Sequence, residues 1–194
     1  MVLLSSAVAL FASFVLAAET LQLARHPASR LSCDINALVS CSTVAQSWQS
    51  ELVRLGTLPV PNAFFGIAAE SVFVTLAVIG MTGAALPRWF NVSSWVGGLF
   101  ALIFAYWLFI QSMFVIKALC PWCLTLMFAT TIQFMALTHA TVTVRRLPSP
   151  TGRSAPLARA LRRSYRLHFD LMFDLVWLAA LAALIVVVEG PDLF

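Results

Sequence analysis

The sequence has little charge. Of its 194 residues, 10% are Asp, Glu, Lys or Arg, whereas a soluble domain carries about a quarter. Hydrophobic residues make up 61% of the chain, and its mean hydropathy is +0.92. This composition excludes an ordinary soluble domain and indicates an integral membrane protein. A membrane-spanning helix needs roughly 20 apolar residues, so this length accommodates about five spans.

Two further features are scarce, and each excludes a class of function. The sequence has no internal repeat and few polar groups inside its apolar runs, whereas repeats or broken helices with polar groups near the membrane midplane are typical of transporters. The net charge of +4 does not indicate nucleic-acid binding, because seven of the twelve basic residues lie between Arg145 and Arg166. Such a cluster is typical of a cytoplasmic loop of a membrane protein.

The apolar runs predict five membrane helices. The first is Val2 to Ala18, which is short enough that a cleaved signal peptide is an alternative, although the positive residues that begin such a peptide are missing. The second is Phe64 to Leu86. About fifty residues up to Val144 contain one formal charge, Lys117, and can form two spans. The fifth is Asp170 to Val188.

We therefore predict an all-α integral membrane fold, with a four-helix transmembrane bundle over residues 1–144 and a fifth transmembrane helix within residues 169–194. The third and fourth spans meet near Lys117 to Cys123, because Pro121 has no N–H to donate and is favoured in the first turn of a helix. Residues 145–168 are too polar to cross a membrane and are predicted to form a basic loop, partly amphipathic from Leu157 onward.

The basic residues also predict the orientation of the chain. Arg88 and the seven arginines of the basic loop form a group of eight on one side, and four basic residues lie on the other. Lys and Arg are enriched in cytoplasmic loops, so the larger group is predicted to be cytoplasmic. The N-terminus is then inside. Residues 24–61, a short C-terminal tail and all the cysteines are outside.

Four cysteines lie near the predicted extracytoplasmic helix ends, where disulfides persist. Cys33 and Cys41 lie in a polar loop, whereas Cys120 and Cys123 form a Cys-Pro-Trp-Cys motif at a helix start. The helix dipole and free N–H groups there favour a thiolate at Cys120. Cys123 is expected about 4.5 Å deeper by the helical rise. Two structural disulfides, or a zinc site with four cysteine ligands, are the alternatives.

The order of these motifs resembles the bacterial branch of the vitamin K epoxide reductase family. The resemblance covers about Val8 to Thr143 and rests on Cys33 to Cys41, Ser47-Trp48, Pro61-Asn62, Phe64-Phe65-Gly66 and the Cys-Pro-Trp-Cys motif. It implies a bundle that surrounds a quinone near its extracytoplasmic end, in the bacterial cytoplasmic (inner) membrane. Some members carry a thioredoxin-like domain, so here a separate extracytoplasmic thioredoxin-fold protein is the expected partner.

The resemblance also implies roles for individual residues. Cys33 and Cys41 would exchange with the partner, Cys41 would pass electrons to Cys120, and Cys123 would deliver them to the quinone. Asn62 would hydrogen-bond a quinone carbonyl and Ser47 would lie near the cysteines; their alternatives are a helix cap and a solvated serine. A tyrosine found in some animal members is replaced by Met127, which weakens any inference that vitamin K epoxide is the substrate.

Two residues are assigned from the sequence alone. Trp122, inside the Cys-Pro-Trp-Cys motif, is a candidate wall of the quinone site. Glu70 is an ionisable group about two turns into a span, where such residues usually have a function or a partner. It is predicted either to take part in proton uptake at the quinone or to form an ion pair with Lys117. The function predicted is a membrane thiol-quinone oxidoreductase; the alternatives are a disulfide-stapled structural membrane protein and a metal carrier or transporter.

Overall fold

The fold is described from a computed structural model of the protein, for residues 1–27, 29–36, 38–51, 53–55, 58–84, 86–143, 155–166 and 169–193. Seven α-helices and two short strands are found in these ranges. In chain order they are α1 (Val2–Arg25), α2 (Cys41–Ala45), β1 (Val53–Leu55), β2 (Leu58–Val60), α3 (Asn62–Met81), α4 (Arg88–Ile110), α5 (Pro121–Thr143), α6 (Ala155–Arg166) and α7 (Phe169–Leu193). A 3₁₀ turn covers Trp48–Ser50, and a π-helical segment, Gln111–Ile116, extends α4.

Five of the helices are long and apolar enough to cross a membrane, as predicted. They are Val2–Arg25, Asn62–Met81, Arg88–Ile116, Pro121–Thr143 and Phe169–Val188. The second span ends at Met81 rather than at Leu86, because Gly83 adopts φ +74°, a left-handed conformation that commonly ends a helix. The all-α transmembrane prediction is therefore confirmed.

Close helix packing holds α1 inside the bundle, against α3 and α5. Its buried face consists of small side chains, with Ser6, Ala9, Ala12 and Ser13 fully buried. A Cβ atom added at Gly66 of α3 would lie 2.6 Å from Ser13 Oγ, so this approach requires glycine. Small residues let membrane helices pack closely where lipid gives no hydrophobic driving force. The first predicted helix is therefore a structural part of the bundle in this protein.

The connection between α4 and α5 turns sharply. Lys117 ends the π-helical segment with φ 55° and is exposed, and the Ser112 hydroxyl donates to the carbonyl of Ala118. α5 then begins at Pro121. The predicted reversal, with the Cys-Pro-Trp-Cys motif at a helix start, is confirmed.

The basic segment contains a helix where a loop was predicted. α6 covers Ala155–Arg166, and Pro156 lies in its first turn, a position that tolerates proline because the missing N–H has no intrahelical partner there. Residues 144–154 lie outside the described residues. α6 packs near the end of α5, where the ring of Tyr165 lies 5.6 Å from that of His139. The His139 ring is hydrogen-bonded to the carboxyl group of Asp170 in the first turn of α7.

α7 is the outermost of the membrane-spanning helices. Most of its described side chains are exposed, and Leu181 is its buried contact with the bundle. The indole N–H of Trp177 donates to the hydroxyl of Tyr106 in α4 at 2.7 Å. α7 therefore adds to the four-helix bundle of α1, α3, α4 and α5 without forming part of its core.

Candidate active site

The loop cysteines form a disulfide. Cys33 and Cys41 are joined with a Cα–Cα distance of 5.7 Å, and both are buried. Cys41 is the first residue of α2, whose N-cap Ser40 accepts a hydrogen bond from the N–H of Thr43 at 3.2 Å. The short helix therefore fixes one half of the disulfide.

Asp34 fixes the other half by holding the loop closed. Its carboxylate accepts hydrogen bonds from the N–H of Leu31 at 2.9 Å and from the N–H of Ser42 and the hydroxyl of Ser40 at 3.0 Å. Burial by itself would raise the pKa of Asp34, but these hydrogen bonds, together with one from the Ser42 hydroxyl, lower it to about 2. The carboxylate therefore connects the two ends of the segment that carries the disulfide.

Removing this carboxylate is expected to destabilise the cysteine loop in a pH-dependent way. Asp34→Ala should cost about 1.5 kcal/mol, the lower end of the range for hydrogen bonds to a charged group, because Asp34 is half-buried. The pKa is lower in the folded protein than its usual unfolded value of about 3.9. This stabilisation is therefore present above about pH 4 and is lost as the pH falls through about 2.

Thermal unfolding in detergent at several pH values measures the effect. The difference between wild type and Asp34→Ala should shrink as the solution is acidified. Asn36→Ala is the matched control, since the uncharged Asn36 side chain accepts from the N–H groups of Leu38 and Val39 in the same loop. Its effect should not change with pH. A pH-independent effect of Asp34→Ala would contradict the assignment.

Backbone hydrogen bonds join the loop to the start of α5. The N–H of Leu119 donates to the carbonyl of Leu38 at 2.6 Å, and the N–H of Ser40 donates to the carbonyl of Leu119 at 3.1 Å. Val39, two residues before Cys41, and Leu119, directly before Cys120, thus form a parallel bridge. The result is that Cys41 Sγ lies 3.2 Å from Cys120 Sγ. The two cysteine pairs therefore meet through Cys41 and Cys120, which are 79 residues apart in sequence.

Cys120 and Cys123 are free thiols in this structure. Cys120 is buried and precedes the first turn of α5, and the N–H of Cys123 points to its sulfur at 3.4 Å. The pKa of Cys120 is lowered, first by a hydrogen bond from the Cys123 thiol and then, against the opposing effect of burial, by the N–H groups of Cys123 and Trp122. The expectation that Cys120 is the better stabilised thiolate agrees with this geometry.

An apolar cavity of about 450 Å³ lies beside the cysteines, inside the bundle. Cys41, Cys120 and Cys123 all reach its wall, so both pairs have access to it. Most of the remaining wall is aliphatic and aromatic, and includes Phe65, Phe100, Phe104 and Phe109. Ligand sites for small molecules are typically apolar cavities of this size with a few polar groups.

Asn62 and Ser47 also line the cavity. Asn62 is the first residue of α3 and the N-cap is Pro61, so the alternative assignment of Asn62 as a helix cap is wrong. Its side-chain N–H instead donates to the carbonyl of Gln49 at 2.6 Å. The half-buried Ser47 donates to the carbonyl of Val44 at 2.7 Å. Both polar residues therefore lie on the wall that the cysteines share.

Trp122 is not on this wall, contrary to the prediction. Its ring lies 5.9 Å from that of Phe11 in α1, edge to face, and packs beside the cysteine cluster. Neighbouring helical residues point about 100° apart, so the face of α5 that presents Cys123 to the cavity turns Trp122 towards α1. Trp122 is a packing residue of the bundle.

Glu70 lies on the cavity wall and is 3% exposed. The predicted pairing with Lys117 is wrong, because Lys117 is exposed at the end of the π-helical segment and does not reach the interior face of α3. The partner of Glu70 is instead the side chain of Gln133 in α5. Within the described part of the chain, its second carboxyl oxygen, Oε2, has no hydrogen-bond partner.

Glu19 is the residue that sequence reasoning missed. It lies near the end of α1, is 7% exposed, and both carboxyl oxygens are 3.4 Å from Cys33 Sγ. The only signal in the sequence is a charge at the end of the first apolar run, which also marks a span boundary. The ligand atoms of Glu19, Cys33 and Cys41 lie within 4.8 Å of one another. The two sulfurs are joined, however, and a metal would require thiolates.

Comparison with curated proteins gives no match. The model of the vitamin K epoxide reductase family matches residues 1–138, which include α1, α3, α4, nearly all of α5 and all four cysteines. The match ends before the basic segment and α7. The chain therefore belongs to the vitamin K epoxide reductase family, whose members are membrane oxidoreductases that act with quinones.

Proposed function

We propose that this protein transfers electrons from an extracytoplasmic thioredoxin-fold protein to a quinone through its two cysteine pairs. The observation that carries the proposal is the 3.2 Å contact between Cys41 Sγ of the disulfide and Cys120 Sγ of the free pair. Thiol-disulfide exchange requires a thiolate to reach a sulfur of another pair directly. The contact supplies this geometry, and the cavity at Cys123 supplies a place for the electron acceptor.

The first exchange takes place at the loop disulfide. A thiolate of the reduced partner attacks Cys33, which breaks the Cys33–Cys41 bond and leaves Cys41 as a thiolate. The partner's second thiol then releases Cys33 and leaves the partner oxidised. Two electrons now reside on Cys33 and Cys41, and the disulfide that the partner carries away is the product.

The second exchange connects the pairs. With Cys120 and Cys123 oxidised, the Cys41 thiolate attacks Cys120, and Cys123 leaves as a thiolate on the cavity wall. Cys33 then attacks Cys41, which restores the loop disulfide and releases Cys120 as a thiolate. The product is the state of the present structure, with the Cys33–Cys41 disulfide and two free thiols. The low pKa of Cys120 favours it as the leaving group in this step.

The cavity fits a quinone ring. It is apolar, has the volume of a typical ligand site, and has polar groups at the cysteine end, where Asn62 would hydrogen-bond a carbonyl and Ser47 would contribute a second polar contact. A quinone bound there accepts two electrons and two protons, and the Cys120–Cys123 disulfide re-forms. Glu70, buried on the same wall with an unpartnered carboxyl oxygen, is proposed to take part in that proton uptake.

Anaerobic mixing of the purified protein with a reduced thioredoxin-fold protein and a panel of quinones tests the function. Absorbance should show quinone reduction in proportion to the partner's oxidation, and Cys123→Ala should stop both. In the same assay Glu70→Gln should slow quinone reduction without slowing dithiol exchange at the loop. If the partner is not oxidised at a measurable rate with any of the quinones, the proposed activity is excluded.

The proposal also requires the cysteine loop to face outward, which single-cysteine labelling tests. In a variant without its native cysteines, Ile35→Cys places a thiol in the cysteine loop at a residue 74% exposed, and Ser164→Cys places one on an exposed position of α6. A membrane-impermeant maleimide added to intact cells should label Ile35→Cys only. Ser164→Cys should react after the membrane is opened. The reverse pattern would overturn the orientation inferred from eight basic residues against four.

A further inference from the structure

A buried carboxyl group lies against the loop disulfide. Glu19 Oε1 and Oε2 are both 3.4 Å from Cys33 Sγ, and the hydroxyl of Ser32 donates to Oε1 at 3.0 Å. An ionisable group inside a membrane span is costly and usually has a partner or a function. Within the described residues no Lys, Arg or His side chain forms a salt bridge with Glu19, so it has no cationic partner there.

The chemistry of the contact depends on the redox state of Cys33. A disulfide sulfur carries no hydrogen, so Cys33 cannot donate to Glu19 while it is bonded to Cys41. The contact is a hydrogen bond only if Glu19 carries a proton or if Cys33 is reduced to a thiol. Reduction and oxidation of the disulfide therefore change where a proton can reside between these two side chains.

We propose that Glu19 is a catalytic residue that takes a proton from the Cys33 thiol when Cys33 attacks Cys41 and returns it when Cys33 is next released. This inference rests on the proposed exchange reaction and assigns its general acid and base. The position suits the role because the carboxyl oxygens contact the reacting sulfur itself, within the range expected for a thiol hydrogen bond.

The proton and electrons balance over one cycle. In the resolving step the Glu19 carboxylate removes the proton of Cys33, the Cys33–Cys41 bond forms, the Cys41–Cys120 bond breaks, and Cys120 leaves with the electron pair. Glu19 is then a neutral carboxylic acid beside a disulfide, and the present structure has the same disulfide with the Glu19 carboxyl oxygens 3.4 Å from Cys33 Sγ. When the partner's second thiol displaces Cys33 in the next cycle, the leaving thiolate takes the proton back from Glu19. The carboxylate is restored.

Glu19→Gln tests the role, because glutamine keeps the size and can still accept from Ser32 but cannot take up the proton. The oxidised protein is mixed with a small dithiol and quenched with a mass-tagged maleimide, and the Cys41–Cys120 mixed disulfide is quantified. In Glu19→Gln this species should accumulate because its resolution is slowed about 100-fold at neutral pH, the lower end of typical general acid-base contributions. Glu51→Gln, the same change at a glutamate away from the cysteines, is the matched control and should resolve like wild type.

The pH profile separates proton transfer from a structural effect. Without Glu19 the attacking thiolate must form by ionisation of Cys33 to solvent, so the rate in Glu19→Gln should rise about tenfold per pH unit and approach wild type near pH 8.5, the ordinary thiol pKa. Other charged and titratable groups face Glu19, namely Asp34 and Arg30 from the loop, Cys120 immediately before α5 and Cys123 within α5. These groups are the same in Glu19→Gln and in wild type, so their own titration cancels when the resolution rate of the variant is divided by that of wild type at each pH.

Each outcome has a distinct meaning. Wild-type rates in Glu19→Gln at every pH, or a slowing that is the same at every pH, would overturn the proton-transfer role. Failure of the wild-type protein to pass electrons to quinone would instead count against the proposed function. A second measurement uses wild type alone and does not depend on the variant's folding: infrared difference spectra should lose a carboxylic acid C=O band when the loop disulfide is reduced. The absence of any carboxyl change would exclude the proposed proton transfer between Glu19 and Cys33.

Discussion

Cys41→Ala is expected to abolish oxidation of the thioredoxin-fold partner while quinone reduction by a small dithiol continues. Cys41 is the sulfur that contacts Cys120, at 3.2 Å, so its loss removes the step that joins the two pairs. Intramolecular reactions with good geometry have effective molarities of about 10⁵–10⁸ M, so partner oxidation should fall by at least about 1000-fold. Cys33→Ala should also abolish partner oxidation, because the partner then has no disulfide to attack.

The dithiol reaction should survive because it needs only the second pair. Cys120 and Cys41 are both buried and their sulfurs are in contact, so alanine at position 41 is expected to leave space through which a small reagent can approach Cys120. The rates of partner oxidation and quinone reduction are measured in parallel, with Cys123→Ala as the contrasting variant that should lose both. If each of the four single replacements removed both activities equally, the proposed division between a loop pair and a helix pair would be wrong.

The sequence is sufficient to predict the features that depend on local pattern. The length of each apolar run specified a membrane helix, and Pro121 marked the start of α5 because proline is tolerated there and not in a helix interior. Two boundaries were predicted less accurately: α3 ends at Met81 before the left-handed Gly83, and α6, with Pro156 in its first turn, forms inside the predicted basic loop. Spacing predicted a loop pair and a helix pair of cysteines but left a zinc site as an alternative, and the structure joins Cys33 to Cys41 while Cys120 and Cys123 are free thiols.

The contacts that define the site depend on tertiary packing, which the sequence does not reveal. Glu19 reaches Cys33 only because α1 packs closely along α3 and α5 on small residues. Trp122 was assigned to the quinone site from its place in the motif, but its direction depends on how α5 is rotated against α1. Glu70 finds Gln133 rather than Lys117 for the same reason, since the interior face of α3 meets α5.

The second large effect concerns which cysteine of the helix pair meets the quinone. Cys120 contacts the loop disulfide, and Cys123 lies one turn further along α5 on the cavity wall beside Leu124 and Met127. If Cys120 is the exchange thiol and Cys123 the electron donor, Cys120→Ser leaves Cys123 unable to re-form its disulfide. Its thiolate then stays next to bound quinone and should give a charge-transfer band in the visible spectrum. Cys123→Ser should give no band.

Asn62 gives this prediction an independent check, because its side chain is on the same wall and its loss would remove the proposed hydrogen bond to the quinone carbonyl. In Cys120→Ser, adding Asn62→Ala should reduce quinone affinity by about 0.5–1.5 kcal/mol, the value for a neutral hydrogen bond. The quinone concentration that half-saturates the band should therefore rise by a factor of about 2 to 10. The titration separates a loss of quinone affinity from a loss of the thiolate. If Asn62→Ala lowers only the affinity, saturating quinone should restore the full band; if it removes the thiolate, saturating quinone should not. A band confined to Cys123→Ser would reverse the roles of the two thiols. With quinone bound and no band in either variant, direct contact between Cys123 and the acceptor would have to be abandoned.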